Sequence, residues 1–145
     1  VVGQYDLWAP GTFARIQEDF IVLFSPTSYC EFLYPLDARI SRIADYTLFH
    51  AHATAMPFLE SLMQIEGIRV IQVTKDEGKT TLGKLLPHLS EIQKQERRLV
   101  IKGRFSEADI GLMKRSLKAE GLSVQPVVDG FEQARQLLPH LLEWQ

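Results

Sequence analysis

The chain contains only one cysteine, Cys30, among its 145 residues. One cysteine excludes a disulfide within the chain, and it excludes a metal cage built from thiolates alone. Scarcity of cysteine is common where thiols stay reduced, so we expect the protein in the cytoplasm. Any metal site in this sequence would have to draw on imidazole or carboxylate ligands.

The sequence also lacks long apolar runs and an excess of one charge. Its apolar stretches are far shorter than a membrane span, and the first residues, VVGQYDLWAPG, lack the basic start and long apolar core of a secretion signal. The formal net charge is −2, and lysine and arginine are scattered along the helical stretches. We therefore expect neither nucleic acid nor a membrane as a partner.

A regular alternation of strand and helix patterns runs through the chain. Hydrophobic residues make up 46% of it, which is enough for the core of one domain over residues 1–145. Each β-rich segment is followed by helical periodicity, and this predicts an α/β fold with parallel strands joined by helical crossovers. An open sheet and a barrel both fit the pattern. The predicted strands are RIQEDFIVLFS, YTLFH, IRVIQVT, RLVIKG and LSVQPVV.

Proline, glycine and capping residues mark the predicted helix ends. Pro26 is expected in the first turn of the first helix, and Thr54 is expected to cap the second helix, which Gly67 would end. Ser106 followed by Asp109 predicts a capping box at a later helix. Apolar periodicity further predicts that the following side chains are mostly buried: Leu59, Leu62, Met63, Val70, Ile71, Val100, Leu112, Leu117 and Val124.

The order of motifs resembles a known family. QEDFIVLFSPTSYCEFLYP, then FHAHATAMPFLESLMQIEGIRVIQVTKDEG, then RLVIKG are similar to the C-terminal half of the uroporphyrinogen decarboxylase and corrinoid methyltransferase superfamily, over residues 16 to 138. The likeness is greatest to uncharacterised bacterial members whose strand ends in His-x-Asp-Gly. The resemblance implies the later half of a TIM-barrel-like (βα)8 fold. It also implies that an N-terminal part of the barrel is missing. If the natural chain ends at these termini, the unpaired strand edges of a partial barrel predict a homodimer.

Two histidines, His50 and His52, are the main candidates for chemistry. Strand alternation sends both imidazoles to one face at the C-terminal end of a parallel strand, where βα folds place their active sites. The family's thiol methyltransferases carry His-x-Cys there, as ligands of zinc, and His52 stands at the cysteine position. Two histidines and a carboxylate suit zinc, but the pair could also line a pocket without metal. His88 and His140 fall in helices and are expected at the surface.

The resemblance also directs attention to acidic and polar residues at other strand ends. Glu18 and Asp19 lie within the first predicted strand, and alternation lets only one of them face inward. We favour Asp19, as a group that orients the substrate or a general acid. Further candidates for binding the substrate are Gln72, Lys75, Asp76 and Gln125.

A phosphate-binding loop is not expected in VIQVTKDEGKTTLGKLL. Gly78, Lys79 and Thr80 resemble the end of such a loop, but the loop also needs a glycine five positions earlier. That position is Val73, whose branched side chain resists the required backbone.

The preferred functional hypothesis is methyl transfer involving a small thiol or a corrinoid, with zinc lowering the pKa of the thiol. Its partners would be a small-molecule substrate and a corrinoid protein. The alternative is a noncatalytic binding or assembly module that keeps the βα scaffold. Porphyrinogen decarboxylation is a further alternative that we do not favour. The arginines and aspartate that the family uses for it lie outside this region, and LSVQPVVDGF lacks the family's late histidine.

Overall fold

The computed structural model describes residues 4–78, 80–142 and 144, and Lys79 lies outside these residues. Five parallel strands form one sheet in the order β1-β2-β3-β4-β5. The alternating βα units and the parallel sheet predicted from the sequence are therefore confirmed. The strands are β1 (Phe13–Gln17), β2 (Tyr46–His52), β3 (Ile68–Lys75), β4 (Arg98–Gly103) and β5 (Leu122–Pro126).

Each connection between neighbouring strands contains helix. The first holds α1 (Pro26–Ser28), a π-helical turn (Tyr29–Leu33) and α2 (Tyr34–Ile40). Among the described residues, no helix is long and apolar enough to cross a membrane. The other helices are α3 (Leu59–Met63), α4 (Leu82–Lys94), α5 (Glu107–Ser116) and α6 (Phe131–Leu142).

The two faces of the sheet have different environments because side chains alternate along each strand. On one face, strand residues such as Phe49 and Ile71 join the large cluster that contains the buried side chains of the helices. On the other face, Leu48, Val70 and Val100 form a small cluster, against which Tyr5, Leu7 and Phe13 pack. We call this second side the open face. It carries the side chains that alternate with the helix-facing ones.

The predicted first strand is shorter than expected at its C-terminal end. RIQEDFIVLFS was predicted to be extended, but β1 ends at Gln17 and a 3-10 helix follows over Asp19–Leu23. Within this helix only Ile21 is buried, whereas Phe20 and Leu23 are exposed. The apolar composition suggested a strand, but the segment sends one side chain into the core and does not alternate.

The predicted ends of the second helix are also wrong. Thr54 is not the cap, because it lies inside a 3-10 helix over Ala53–Phe58 whose N-cap is His52. Pro57 has no backbone N–H, so the α-helical bonding pattern begins only after it, with α3. The helix ends at Met63, before Gly67. Glycine at position 67 has a different role, because a Cβ atom there would collide with Ser41.

Other local predictions are confirmed. Pro26 opens α1, and Ser106 and Asp109 form a capping box at α5 with hydrogen bonds of 3.0 and 3.1 Å. The side chains predicted to be buried are buried, except that Leu112 and Val124 are partly exposed. His88 and His140 are also partly exposed.

A buried acidic cluster joins the end of β1 to the helices that follow it. Asp37 is fully buried, and its Oδ2 accepts a hydrogen bond of 2.7 Å from the hydroxyl of Tyr29. Its Oδ1 and the Oε2 of Glu18 are buried as well, with no donor among the described residues. Burial and the neighbouring Asp37 raise the pKa of Glu18 to about 7. Burial also raises the pKa of Asp37.

This cluster predicts a pH-dependent stability. The pKa of Glu18 in the folded protein lies above its unfolded value of 4.5. The protonated carboxyl group therefore contributes fully to the free energy of unfolding below pH 4.5, and this contribution is lost as the pH rises through about 7. We expect the free energy of unfolding to fall by about 1–2 kcal/mol across this interval. Urea denaturation at several pH values measures the change, and Glu18→Gln should remove most of it. The exposed Glu120→Gln should keep it, and an unchanged decline in Glu18→Gln would contradict this reading.

Candidate metal site

The C-terminal end of β2 places two imidazoles side by side on the open face. His50 aligns with Gln72 of β3, and His52 aligns with Thr74 two positions further along. His50 is buried and His52 is partly exposed. Their Nε2 atoms lie 3.3 Å apart. The period of two in an extended strand explains why both side chains reach the same side.

A carboxylate from the neighbouring connection completes the group. Oδ1 of Asp19 lies 3.8 Å from Nε2 of His50 and 3.7 Å from Nε2 of His52. The side-chain amide of Gln17 donates a hydrogen bond of 2.6 Å to the other carboxylate oxygen. The adjacent Glu18 instead belongs to the buried acidic cluster with Asp37. Asp19 therefore presents one oxygen to both histidines.

The Nδ1 atoms of both histidines are held by other side chains. Nδ1 of His52 lies 2.7 Å from Oδ1 of Asp76, and Nδ1 of His50 contacts Oε1 of Gln72. Gln72 is fully buried and donates through its amide nitrogen to Thr74 at 3.0 Å. A carboxylate and an amide oxygen accept hydrogen bonds, so each Nδ1 carries the proton in this network. The Nε2 atoms then keep their lone pairs.

Electrostatics favour the neutral imidazole at His50. Burial lowers its pKa, and the positive charge of Arg15 and the neighbouring His52 lower it further, although Gln72 and Asp19 act in the opposite direction. Neutral imidazole is the form of histidine that binds metal ions. Together the three groups offer two ring nitrogens and one carboxylate oxygen.

The spacing of these atoms suits a tetrahedral cation. Two nitrogens at about 2.0–2.1 Å from zinc in tetrahedral geometry are about 3.3–3.4 Å apart, and the two Nε2 atoms are separated by 3.3 Å. The ligand atoms of Asp19, His50 and His52 all lie within 4.8 Å of one another. Among the described residues, this is the one group of three such side chains close enough to bind a metal ion. A small movement of the exposed Asp19 would bring its oxygen into the same range.

The other candidate residues occupy varied positions. Gln72 and Asp76, which were expected to bind substrate, contact the histidines. The side chain of Lys75 leaves β3 on the face opposite to Gln72, and its ammonium donates a hydrogen bond of 3.0 Å to the backbone carbonyl of Arg104. The side-chain amide of Gln125 donates to the backbone carbonyl of Tyr5 at 2.6 Å. Lys75 is therefore separate from the histidine pair, whereas Gln125 supports the N-terminal segment.

Tyr5 is a site residue that the sequence interpretation missed. Its hydroxyl oxygen lies 2.9 Å from Nδ1 of His50. The centre of its ring lies 5.7 Å from the guanidinium carbon of Arg15 and 5.4 Å from the ammonium of Lys102. Tyr5 comes 45 residues before His50, so no local spacing connects them. Lys102, which is in register with Thr74 on the open face, was likewise not among the predicted site residues.

The burial of His50 predicts a measurable property of the metal-free protein. We expect its imidazole to titrate below the ordinary value of 6.5, because desolvation penalises the charged form. The pH dependence of the imidazole NMR signals, assigned with His50→Gln, measures this pKa. Arg15→Gln should move it upward by removing a nearby positive charge. Titration of His50 at or above 6.5 would contradict the arrangement described here.

Comparison of the chain with models of known protein families finds no match. Comparison with curated proteins and with solved structures finds no match either.

Proposed function

We propose that the chain binds a divalent zinc ion through Asp19, His50 and His52 and uses it in methyl transfer involving a small thiol. The observation that carries this proposal is the fixed orientation of both imidazoles, whose Nδ1 atoms are engaged while their Nε2 atoms converge. Metal-binding histidines commonly donate their other ring N–H to a carboxylate or carbonyl oxygen. Such anchoring orients a ligand before the ion arrives.

Zinc is the preferred ion because of the type and number of ligands. It accepts imidazole and carboxylate, and catalytic zinc sites use three protein ligands with a fourth position for water or substrate. Magnesium and calcium prefer shells made mainly of oxygen. Bound zinc would lower the pKa of a thiol at the fourth position, so that sulfur becomes an effective nucleophile near neutral pH.

The side chains around the cluster have separate tasks in this proposal. Asp76 and Gln72 hold the two imidazoles in the ligating tautomer. Asp19, which is partly exposed, closes the third side and can adjust to the ion. A methyl group would form a bond to the thiol sulfur as its cobalt–carbon bond to a corrinoid breaks. The electron pair of that bond would stay on the cobalt, and the thiol proton would be released to solvent. A corrinoid protein is the proposed source of the methyl group, as the family resemblance implies.

The strand order supports assignment to the later half of a βα barrel. An open doubly wound sheet reverses its strand order at a switch point and carries helices on both faces. Here the strands follow one another in sequence, and the buried helix side chains join one cluster on one face. A barrel requires this arrangement, with the helices outside and the open face inside.

Metal analysis of protein purified without a histidine tag tests the proposed site. We expect about one zinc per chain, on the reasoning that one set of three ligands is present. His50→Ala and His52→Ala should each lose zinc, and His88→Ala should retain it as the matched control. Asp76→Asn should weaken zinc binding by about 10–100-fold, because it disturbs the orientation of His52 without removing a ligand.

The reaction is tested separately from the metal. Zinc-loaded protein should catalyse methylation of a thiol such as 2-mercaptoethanol by methylcobalamin, and His52→Ala should lose this activity. Zinc binding without catalysis would contradict the reaction and leave the site in place. Absence of zinc from the unmodified chain would contradict both, and would favour the noncatalytic binding module.

A further inference from the structure

Both edges of the sheet are open among the described residues. β1 pairs only with β2, and β5 pairs only with β4. Unpaired edges present backbone N–H and C=O groups that can pair with another strand. Since all five strands are parallel, the C-terminal ends of β1 and β5 point the same way.

The helical segment beside β1 exposes an apolar stripe. Phe32, Leu36 and Ile40 follow one another at intervals of four residues, and all three are exposed. Sγ of Cys30 lies 3.2 Å from Oγ of Ser61 in α3, so that side of the segment faces α3. Phe32, two residues on, falls on the opposite side of a helix. The stripe therefore faces the space beyond β1.

The helix beside β5 has a matching stripe. Phe131, Leu138 and Leu142 share one side of α6, at intervals of seven and four residues, and all three are exposed. Nε2 of His140 lies 3.6 Å from a carboxylate oxygen of Glu107 in α5, so that side of α6 faces α5. Leu138, two residues earlier, points away from α5. This stripe faces the space beyond β5.

We propose that two copies of this chain associate by pairing β1 of each copy with β5 of the other. This contact would bury the stripe of Phe32, Leu36 and Ile40 against the stripe of Phe131, Leu138 and Leu142. Two such contacts related by a two-fold axis would close a ring of ten parallel strands, five from each copy. The open face would line the interior of this ring.

A second copy is the occupant because each edge offers what the other lacks. On its free side β1 has no parallel neighbour whose helix could cover the exposed stripe of Phe32, Leu36 and Ile40. β5, which is followed by α6, could be that neighbour. On its free side β5 has no parallel neighbour whose helix could cover the exposed stripe of α6. β1, which is followed by α2, could be that neighbour. Apolar stripes beside both open edges are unfavourable in water, and their mutual burial would stabilise the pair.

The assembly would also complete the surroundings of the metal site. Asp19 follows β1 directly, and its side chain is 55% exposed. The C-terminal end of β5 in the second copy would lie beside Asp19, on a side that its own chain leaves open. Each site would then be enclosed by both copies. The association itself does not require zinc, so it can fail or succeed independently of the proposed function.

Sedimentation at micromolar concentration tests the assembly. We expect a compact dimer, and Leu36→Glu or Leu138→Glu should each raise its dissociation constant at least about tenfold by placing a charge in the contact. Lys84→Glu, on the exposed side of the central helix α4, is the matched control and should remain dimeric. Circular dichroism checks that each variant keeps its helices and strands.

Cross-linking tests which edges meet. In a Cys30→Ser background, Leu36→Cys and Leu138→Cys chains should give a bismaleimide product when mixed, and little product when either is treated alone. Preferential linking of Leu36→Cys to itself would overturn the proposal. So would a monomeric unmodified chain, or a series of larger oligomers, which would show that the contact does not close.

Discussion

Hydrogen bonds from the Nδ1 atoms of His50 and His52 to Gln72 and Asp76 are the interactions on which the rest of the site depends. Without them either ring could rotate or change tautomer, and the Nε2 atoms would not be directed to one point. Gln72, in β3, accepts the bond from His50, and Asp76, the residue after β3, accepts the bond from His52. Asp19 can then approach both Nε2 atoms from the other side of β2. β3 and the residue after it therefore hold the two imidazoles, and the connection after β1 supplies the carboxylate beside them.

The parallel sheet makes this arrangement possible. Neighbouring strands in register bring their C-terminal ends to one edge, so that residues far apart in sequence become neighbours. The helices cover one face and bury the apolar positions of the strands there. The alternate positions, among them His50 and Gln72, are left to the open face. A hydrophobic core and a polar site are thereby built from the same strands.

The sequence alone predicted the alternation of strands and helices and the placement of the two histidines of the site. Alternation of periodicities predicted the βα units, and a period of two placed His50 and His52 on one face. The roles of Tyr5 and Asp76 could not be predicted, because they contact histidines 45 and 24 residues away and only the tertiary fold brings them together. The 3-10 helix that carries Asp19 was missed for another reason. Its apolar residues resemble a strand until their burial is known.

X-ray absorption at the zinc edge tests the central claim most directly. In zinc-loaded protein the two anchored imidazoles should both be ligands, each with its nitrogen at about 2.0 Å, together with an oxygen at a similar distance. Asp19→Asn should alter the oxygen contribution and keep the imidazole scattering. A spectrum with one imidazole or none would contradict the account, because the convergence of the two Nε2 atoms would then have no part in holding the ion.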